Sequence, residues 1–103
     1  NIILVGKISR IKCEDIIVLL PVGSIEQHGS HLPLSVDTII SQRICDTLST
    51  QHNNTVVLPP IYYAARSFPQ SGGVNQFDAS IYISGDTLIK YFVDILSTLI
   101  NMG

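Results

Sequence analysis

Glu26 and His28 stand two residues apart, and Asp37 follows nine residues after the histidine. In an extended segment alternate side chains point the same way, so Glu26 and His28 would share one side with Cα atoms about 6.6 Å apart. A carboxylate, an imidazole and a second carboxylate converging on one point make a divalent metal site of mixed oxygen and nitrogen ligands. Zn²⁺ or Mn²⁺ suits that mixture, and no thiolate lies nearby. A carboxylate such as Asp37 can also bridge two ions through its two oxygens, as paired-metal hydrolases require. By spacing alone a plainer reading stands beside this one. Glu26 and Gln27 would face solvent, Asp37 would only cap a helix, His31 would be structural, and His52 would be solvated in a polar turn.

The elements that must position these groups can be read around them. Residues 16–20, Ile-Ile-Val-Leu-Leu, form a continuous apolar run suited to a strand covered on both faces of a parallel sheet. The segment from Pro21 to Asp37 follows that strand, at the carboxyl end where open α/β sheets carry ligand sites. From Ser35 the period changes. Val36, Ile40, Ile44 and Leu48 recur every four residues, and Ile39 widens the stripe, which predicts a helix with Asp37 near its N-terminus.

Residues 51–54 then read as a polar turn, and 55–58 as a short strand stopped by Pro59 and Pro60. Residues 1–9 suggest a short or edge strand. Residues 61–78 lack periodicity and form a long loop, a kind that in compact domains is usually functional. Residues 80–84 alternate as a strand, with Ile81 and Ile83 on one face. Asp86 is expected to cap a last helix with the stripe Leu88, Ile89, Phe92, Val93, Leu96, Leu99 and Ile100, ending at Gly103 in the C-cap position. Strands alternating with helices imply a parallel α/β layer structure, incomplete in this chain.

Composition narrows the function. The chain has 103 residues, 46% apolar but only 14% charged, against a typical ~25% charged. Its mean hydropathy is +0.36. So little charge on so small a chain predicts that part of its surface is covered, by a missing C-terminal segment or by a second chain in a homo-oligomer. A net charge of −2 without a basic stripe argues against nucleic acid. The run at 16–22 is far short of the ~20 residues of a membrane helix, so no membrane partner is expected. No signal peptide is visible. Cys13 and Cys45 are expected to be buried thiols of a cytoplasmic protein. Gly-rich phosphate fingerprints are absent, which disfavours a metal-free α/β binding module.

The segment L-P-V-G-S-x-E-Q-H-G-x-H-L-P-L-x-x-D-T, residues 20–38, resembles the signature of the creatininase (creatinine amidohydrolase) family. Val5-Gly6, Leu58-Pro59 and the stretch 85–103 fall in the family's order, and Ser71-Gly72-Gly73 followed by Phe77 resembles the loop of creatininase proper. The resemblance implies a three-layer α/β fold with a mostly parallel sheet, of which residues 1–103 are the N-terminal portion of a single domain. It implies Glu26, His28 and Asp37 as ligands of a two-metal centre of Zn²⁺ and/or Mn²⁺, with Asp37 as the bridge. Ser71 is implied as a substrate-binding residue. The family usually assembles as a homohexamer and hydrolyses cyclic amides or other non-peptide C–N bonds, creatinine to creatine among them.

Two departures stand out. The family's F-P-G-T reads Phe77-Asp78-Ala79-Ser80 here, without the turn that Pro-Gly enforces. The family's second metal motif, N-G-H-x-x-N, is absent. These departures favour a competing reading as a truncated non-catalytic homologue or an assembly subunit that keeps the fold.

Overall fold

The computed structural model describes residues 16–64 and 79–102. Strand β1 (Ile17–Leu19) pairs in parallel with β2 (Thr55–Val57), in the register Ile17–Thr55, Val18–Val56 and Leu19–Val57. Parallel neighbours need a long connection, and helix α1 (Val36–Gln51) provides it. A last helix, α2 (Gly85–Met102), closes the described chain. This is the strand–helix–strand–helix order of an α/β layer fold.

Proline shapes the end of the sheet. Pro21 has no N–H to give to a ladder, and β1 stops two residues before it. Pairing then resumes beyond the interruption. Ile61 donates its N–H to the Pro21 carbonyl (2.9 Å), and Gly23 donates to the Ile61 carbonyl (2.8 Å). Val22 and Ile61 form a parallel bridge there. Pro21 is fully buried, and Ile61 and Ala64 are the buried apolar residues among those described.

The chain then meets the start of α1. A Cβ built on Gly23 would lie 2.1 Å from Thr38 Oγ1 and 2.5 Å from both Thr38 Cα and N. Two of those three atoms are backbone, so no rotamer change could relieve the contact. Thr38 is only 1% exposed, and its hydroxyl has no hydrogen-bond partner among the described residues. Glycine at position 23 is therefore what lets the strand end and the helix start touch.

Several expectations need revising. The apolar stripe of α1 faces outward, with Ile39, Ile40 and Ile44 each more than half exposed. The protected positions are Val36, Asp37, Thr38, Ser41, Gln42, Cys45, Asp46 and Ser49, so only the first residue of the stripe is among them, and α1 lies against β2. Ile17 and Val18 of β1 are exposed too, at 50% and 40%, so that strand is not covered on both faces among the described residues. Helix α2 has the same character. Leu88, Phe92, Ile95 and Leu99 are half-buried, while Ile89, Val93, Leu96 and Ile100 are exposed.

The cap of α2 is Ser84 rather than Asp86. Its hydroxyl oxygen accepts the Thr87 N–H at 3.3 Å, while Asp86 sits in the first turn, where its charge complements the helix dipole. Residues 81 and 83 form single bridges instead of a regular strand. Cys45 is free and half-buried rather than buried, and burial, then the nearby Asp46 charge, pushes its thiol up. The expectations for residues 1–9, Cys13, Ser71, the Phe77-Asp78 pair and the Gly103 cap fall outside the described residues. No helix among the described residues is long and apolar enough to cross a membrane.

Two outcomes follow from this backbone. Gly23→Ala should destabilise the protein by at least about 2 kcal/mol, since overpacking against immovable backbone must shift β1 or α1; urea melts measure it, and a change below about 0.5 kcal/mol would refute the contact. Ala79 has a φ of 65°, left-handed backbone that costs a side-chain-bearing residue roughly 1–2 kcal/mol. Ala79→Gly should therefore stabilise the protein by about 1 kcal/mol in the same melts, part of the relief being offset by glycine's extra chain entropy.

Candidate metal centre

The ligand-bearing segment is held by backbone hydrogen bonds from three directions. Glu26 donates its N–H to the Leu34 carbonyl (3.0 Å), Ile81 donates to the Ile25 carbonyl (2.9 Å), and Gln27 donates to Ser80 Oγ (3.1 Å). Ile25 and Ile81 form an antiparallel bridge. The 79–81 stretch thus braces the chain between Glu26 and His28, although Ala79 stands where the family pattern has glycine. Gly29, at φ +83°, turns the chain immediately after His28, a conformation that favours glycine.

Asp37 enters from the other side, in the first turn of α1. It is not spent on capping: Ser35 occupies the cap position without a side-chain cap bond, and the Asp37 Oδ2 accepts the Ser24 hydroxyl at 2.5 Å. The second oxygen, Oδ1, lies 3.3 Å from His28 Nε2. One ligand atom from each of Glu26, His28 and Asp37 can be chosen so that all lie within 4.8 Å of one another. The structure therefore brings these three side chains together. His31 and His52 are exposed and stand outside this group, and Ser71 lies outside the described residues.

The proton positions decide what the cluster can hold. His28 Nδ1 lies 2.9 Å from the Glu26 backbone carbonyl. A carbonyl can only accept, so Nδ1 carries the proton and the neutral ring presents a lone pair at Nε2. That lone pair faces a carboxylate oxygen, which is also an acceptor. Two acceptors at this distance need a cation between them, either a proton on Nε2 or a metal ion. The donor separation suits the second: a tetrahedral ion with ligands at about 2.0–2.1 Å sets neighbouring donors roughly 3.3 Å apart. A ligating histidine whose other nitrogen is pinned by a carbonyl is the usual support for such a site.

With no ion, the proton takes that place. The hydrogen bond to the Glu26 carbonyl, and then the Asp37 carboxylate, raise the His28 pKa above its ordinary 6.5, with partial desolvation opposing them.

Spacing alone left Ser24 and Ser80 unmarked. A serine hydroxyl next to glycine has no periodicity, and its partner Asp37 is thirteen residues away. Only the contact of Gly23 with α1 reveals the pair.

Comparison with known proteins fits this geometry. The profile of the family described as creatininase, creatinine amidohydrolase, matches residues 7–103. The creatinine amidohydrolase of Pseudomonas putida is 32% identical over 95 residues, covering 92% of this chain and 36% of that protein. A mycofactocin precursor peptide peptidase of Mycolicibacterium smegmatis is 47% identical over 53 residues, covering 47% of this chain and 22% of that protein. A solved structure described as creatininase Mn superposes with a TM-score of 0.85 at 31% identity, covering 95% of this chain and 38% of its own. The chain thus spans little more than a third of the length of the creatinine amidohydrolase it matches.

The raised His28 pKa has a definite sign. Protonation of His28 stabilises the ion-free protein below pH about 6.5, and that contribution is lost as the pH rises through the raised folded value. Metal must displace this proton, so ion affinity should fall as the pH drops through the same value. An NMR titration of the ion-free protein should place the His28 midpoint above 6.5, and Asp37→Asn should lower it. A midpoint at or below 6.5 in the parent protein would remove this account of the site.

Proposed function

The chain belongs to the creatininase family, and from that premise we propose that it carries the first half of the metal centre of a metal-dependent hydrolase acting on an amide-type C–N bond. One observation carries the reading: ligand atoms of Glu26, His28 and Asp37 lie within 4.8 Å of one another. The facing lone pairs of His28 Nε2 and Asp37 Oδ1 support it, because that pair is stable only around a cation.

In this reading Glu26, His28 and Asp37 hold the ions, with Asp37 as the shared ligand. Zn²⁺ and Mn²⁺ both fit the donor set. Bound divalent ions supply an activated water near neutral pH and positive charge at the scissile carbonyl oxygen. The chain's own contribution is orientation. The Glu26 carbonyl fixes the His28 tautomer, and the brace from Ser80 and Ile81 fixes the segment that carries both groups. Ser71 is the residue we assign to substrate binding, by resemblance to the Ser-Gly-Gly loop of creatininase. Three donors are too few for two ions, since each catalytic ion usually takes three protein ligands. Further protein must supply the others, together with a group that gives a proton to the leaving nitrogen.

A cyclic amide such as creatinine is the substrate class we favour. A peptide amide is a second reading, supported by the 47% identity to a peptide-trimming relative across the 53 matched residues.

Calorimetric titration with Zn²⁺ and Mn²⁺ tests the ligand count. The 103 residues alone should bind one ion weakly and leave creatinine intact. The longest chain the gene encodes should bind two ions, hydrolyse creatinine or a peptide amide, and lose an ion and at least 100-fold in activity on Asp37→Ala. Tight two-site binding by the 103 residues alone would show that the ligand set is already complete and this accounting wrong. No binding by the longest chain would overturn the reading itself.

A further inference from the structure

Ser24 is only 9% exposed, and its hydroxyl meets the carboxylate of Asp37. A carboxylate can only accept, so Ser24 is the donor and its oxygen is committed to Asp37. Both ends of this contact rest on rigid elements. Ser24 follows Gly23, whose N–H is held by the Ile61 carbonyl beyond the sheet, and Asp37 lies in the first turn of α1. The Gly23–Thr38 contact places the next residue of one segment opposite the preceding residue of the other. Ser24 therefore has little freedom to leave Asp37.

A carboxylate free to rotate about its last bond presents either oxygen, or neither, to a neighbouring ligand. Here one oxygen is occupied by the Ser24 hydroxyl and the other faces His28 Nε2 at 3.3 Å. A carboxylate has about four lone-pair directions, and one hydrogen bond uses one of them. Both Oδ1 directions and one on Oδ2 stay open, enough to bridge two ions. The hydroxyl also draws charge from Oδ2, leaving Oδ1 the stronger donor.

We propose that Ser24 is a positioning residue of the metal centre: its hydroxyl fixes the rotation of the Asp37 carboxylate and so selects Oδ1 as the oxygen offered beside His28. The proposal rests on the metal-centre reading above and adds to it a residue outside the ligand set. It differs from a purely structural role, in which the hydrogen bond would merely tie the strand end to α1. A structural tie would change stability. A positioning contact changes the ions' affinity and coordination, and only while Asp37 is present.

The test uses the longest chain the gene encodes, with Zn²⁺ affinity read by competition against a chromophoric chelator and coordination read from the visible spectrum of the Co²⁺-loaded protein. Ser24→Ala should weaken Zn²⁺ binding about 10–100-fold, the usual effect of removing a group that orients a ligand, and should alter the Co²⁺ bands. Ser24→Gly also removes the hydroxyl without adding a metal ligand and should behave like the alanine variant, which covers the case in which Ser24→Ala fails to fold. Ser24→Thr keeps the hydroxyl and should restore affinity to within a few-fold. Against Asp37→Ala, adding Ser24→Ala should change affinity less than twofold. A Ser24→Ala or Ser24→Gly protein with parental affinity and spectrum would overturn this inference alone. So would an equal loss in the Asp37→Ala background. A parent protein that binds no ion would overturn both this inference and the reading beneath it.

Discussion

The contact between Gly23 and Thr38 sets the geometry on which the site depends. A parallel strand pair delivers the chain to a sheet end, but nothing in a sheet requires that end to touch a helix N-terminus. Here the touch is close enough that a single Cβ would collide with helix backbone. The consequence is a register between two segments distant in sequence. Gly23 lies against Thr38, and Ser24 lies against Asp37. The acidic residue of the first turn is thereby turned toward the loop that carries Glu26 and His28. Without that register Asp37 would be an ordinary carboxylate at a helix start, stabilising a dipole by about half a kcal/mol.

The second constraint is electrostatic. Folded chains normally pair donors with acceptors, and a lone pair aimed at a carboxylate breaks that rule. His28 and Asp37 break it in a fixed manner, because the Glu26 carbonyl claims the only proton of the neutral ring. The arrangement is stable only around a positive charge. Local conflicts of this kind concentrate at functional sites, where one group is left for a ligand to satisfy. A proton fills the role when no ion is bound, and the pKa of His28 is raised, first by the hydrogen bond to the Glu26 carbonyl and then by Asp37, although partial desolvation pulls the other way.

The elements were legible where one physical signal dominated. The four-residue period from Val36 to Leu48 marked α1, and the β-branched run before Pro21 marked β1. The grouping of Glu26, His28 and Asp37 was readable because a strand end, a two-residue spacing and a helix start all converge there. What escaped the sequence was direction. Period alone shows that Ile40, Ile44 and Leu48 share a face, but not whether that face meets β2. It does not: Ser41, Cys45 and Ser49 lie on the protected side. The cap of α2 was misplaced by two residues because serine and aspartate are both good caps, and only the bond from Thr87 to Ser84 separates them. Ser24 was hidden for another reason, since its function depends on the absence of a side chain at position 23.

The outward apolar stripes and the shortage of metal ligands have a common physical meaning. A helix whose protected face is polar and whose exposed face carries Ile39, Ile40, Ile44 and Leu48 gains most of its hydrophobic stabilisation only when something covers that outer face. These residues are already about half covered, with Ile39 at 54% and Leu48 at 37% exposed, so burying the remainder would add about 1 kcal/mol each, a sizeable share of the roughly 5–15 kcal/mol of a small domain. Ion binding acts on the same balance, because an ion that binds the folded arrangement and not the unfolded chain adds its binding free energy to folding. Asp37 sits at the meeting point of both effects. It stands one residue before buried Thr38 and two before exposed Ile39, in the first turn of the helix that carries the exposed apolar face. If protein covers that face, its packing and ion binding at Asp37 would be linked through one helix, each favouring the other to the same degree.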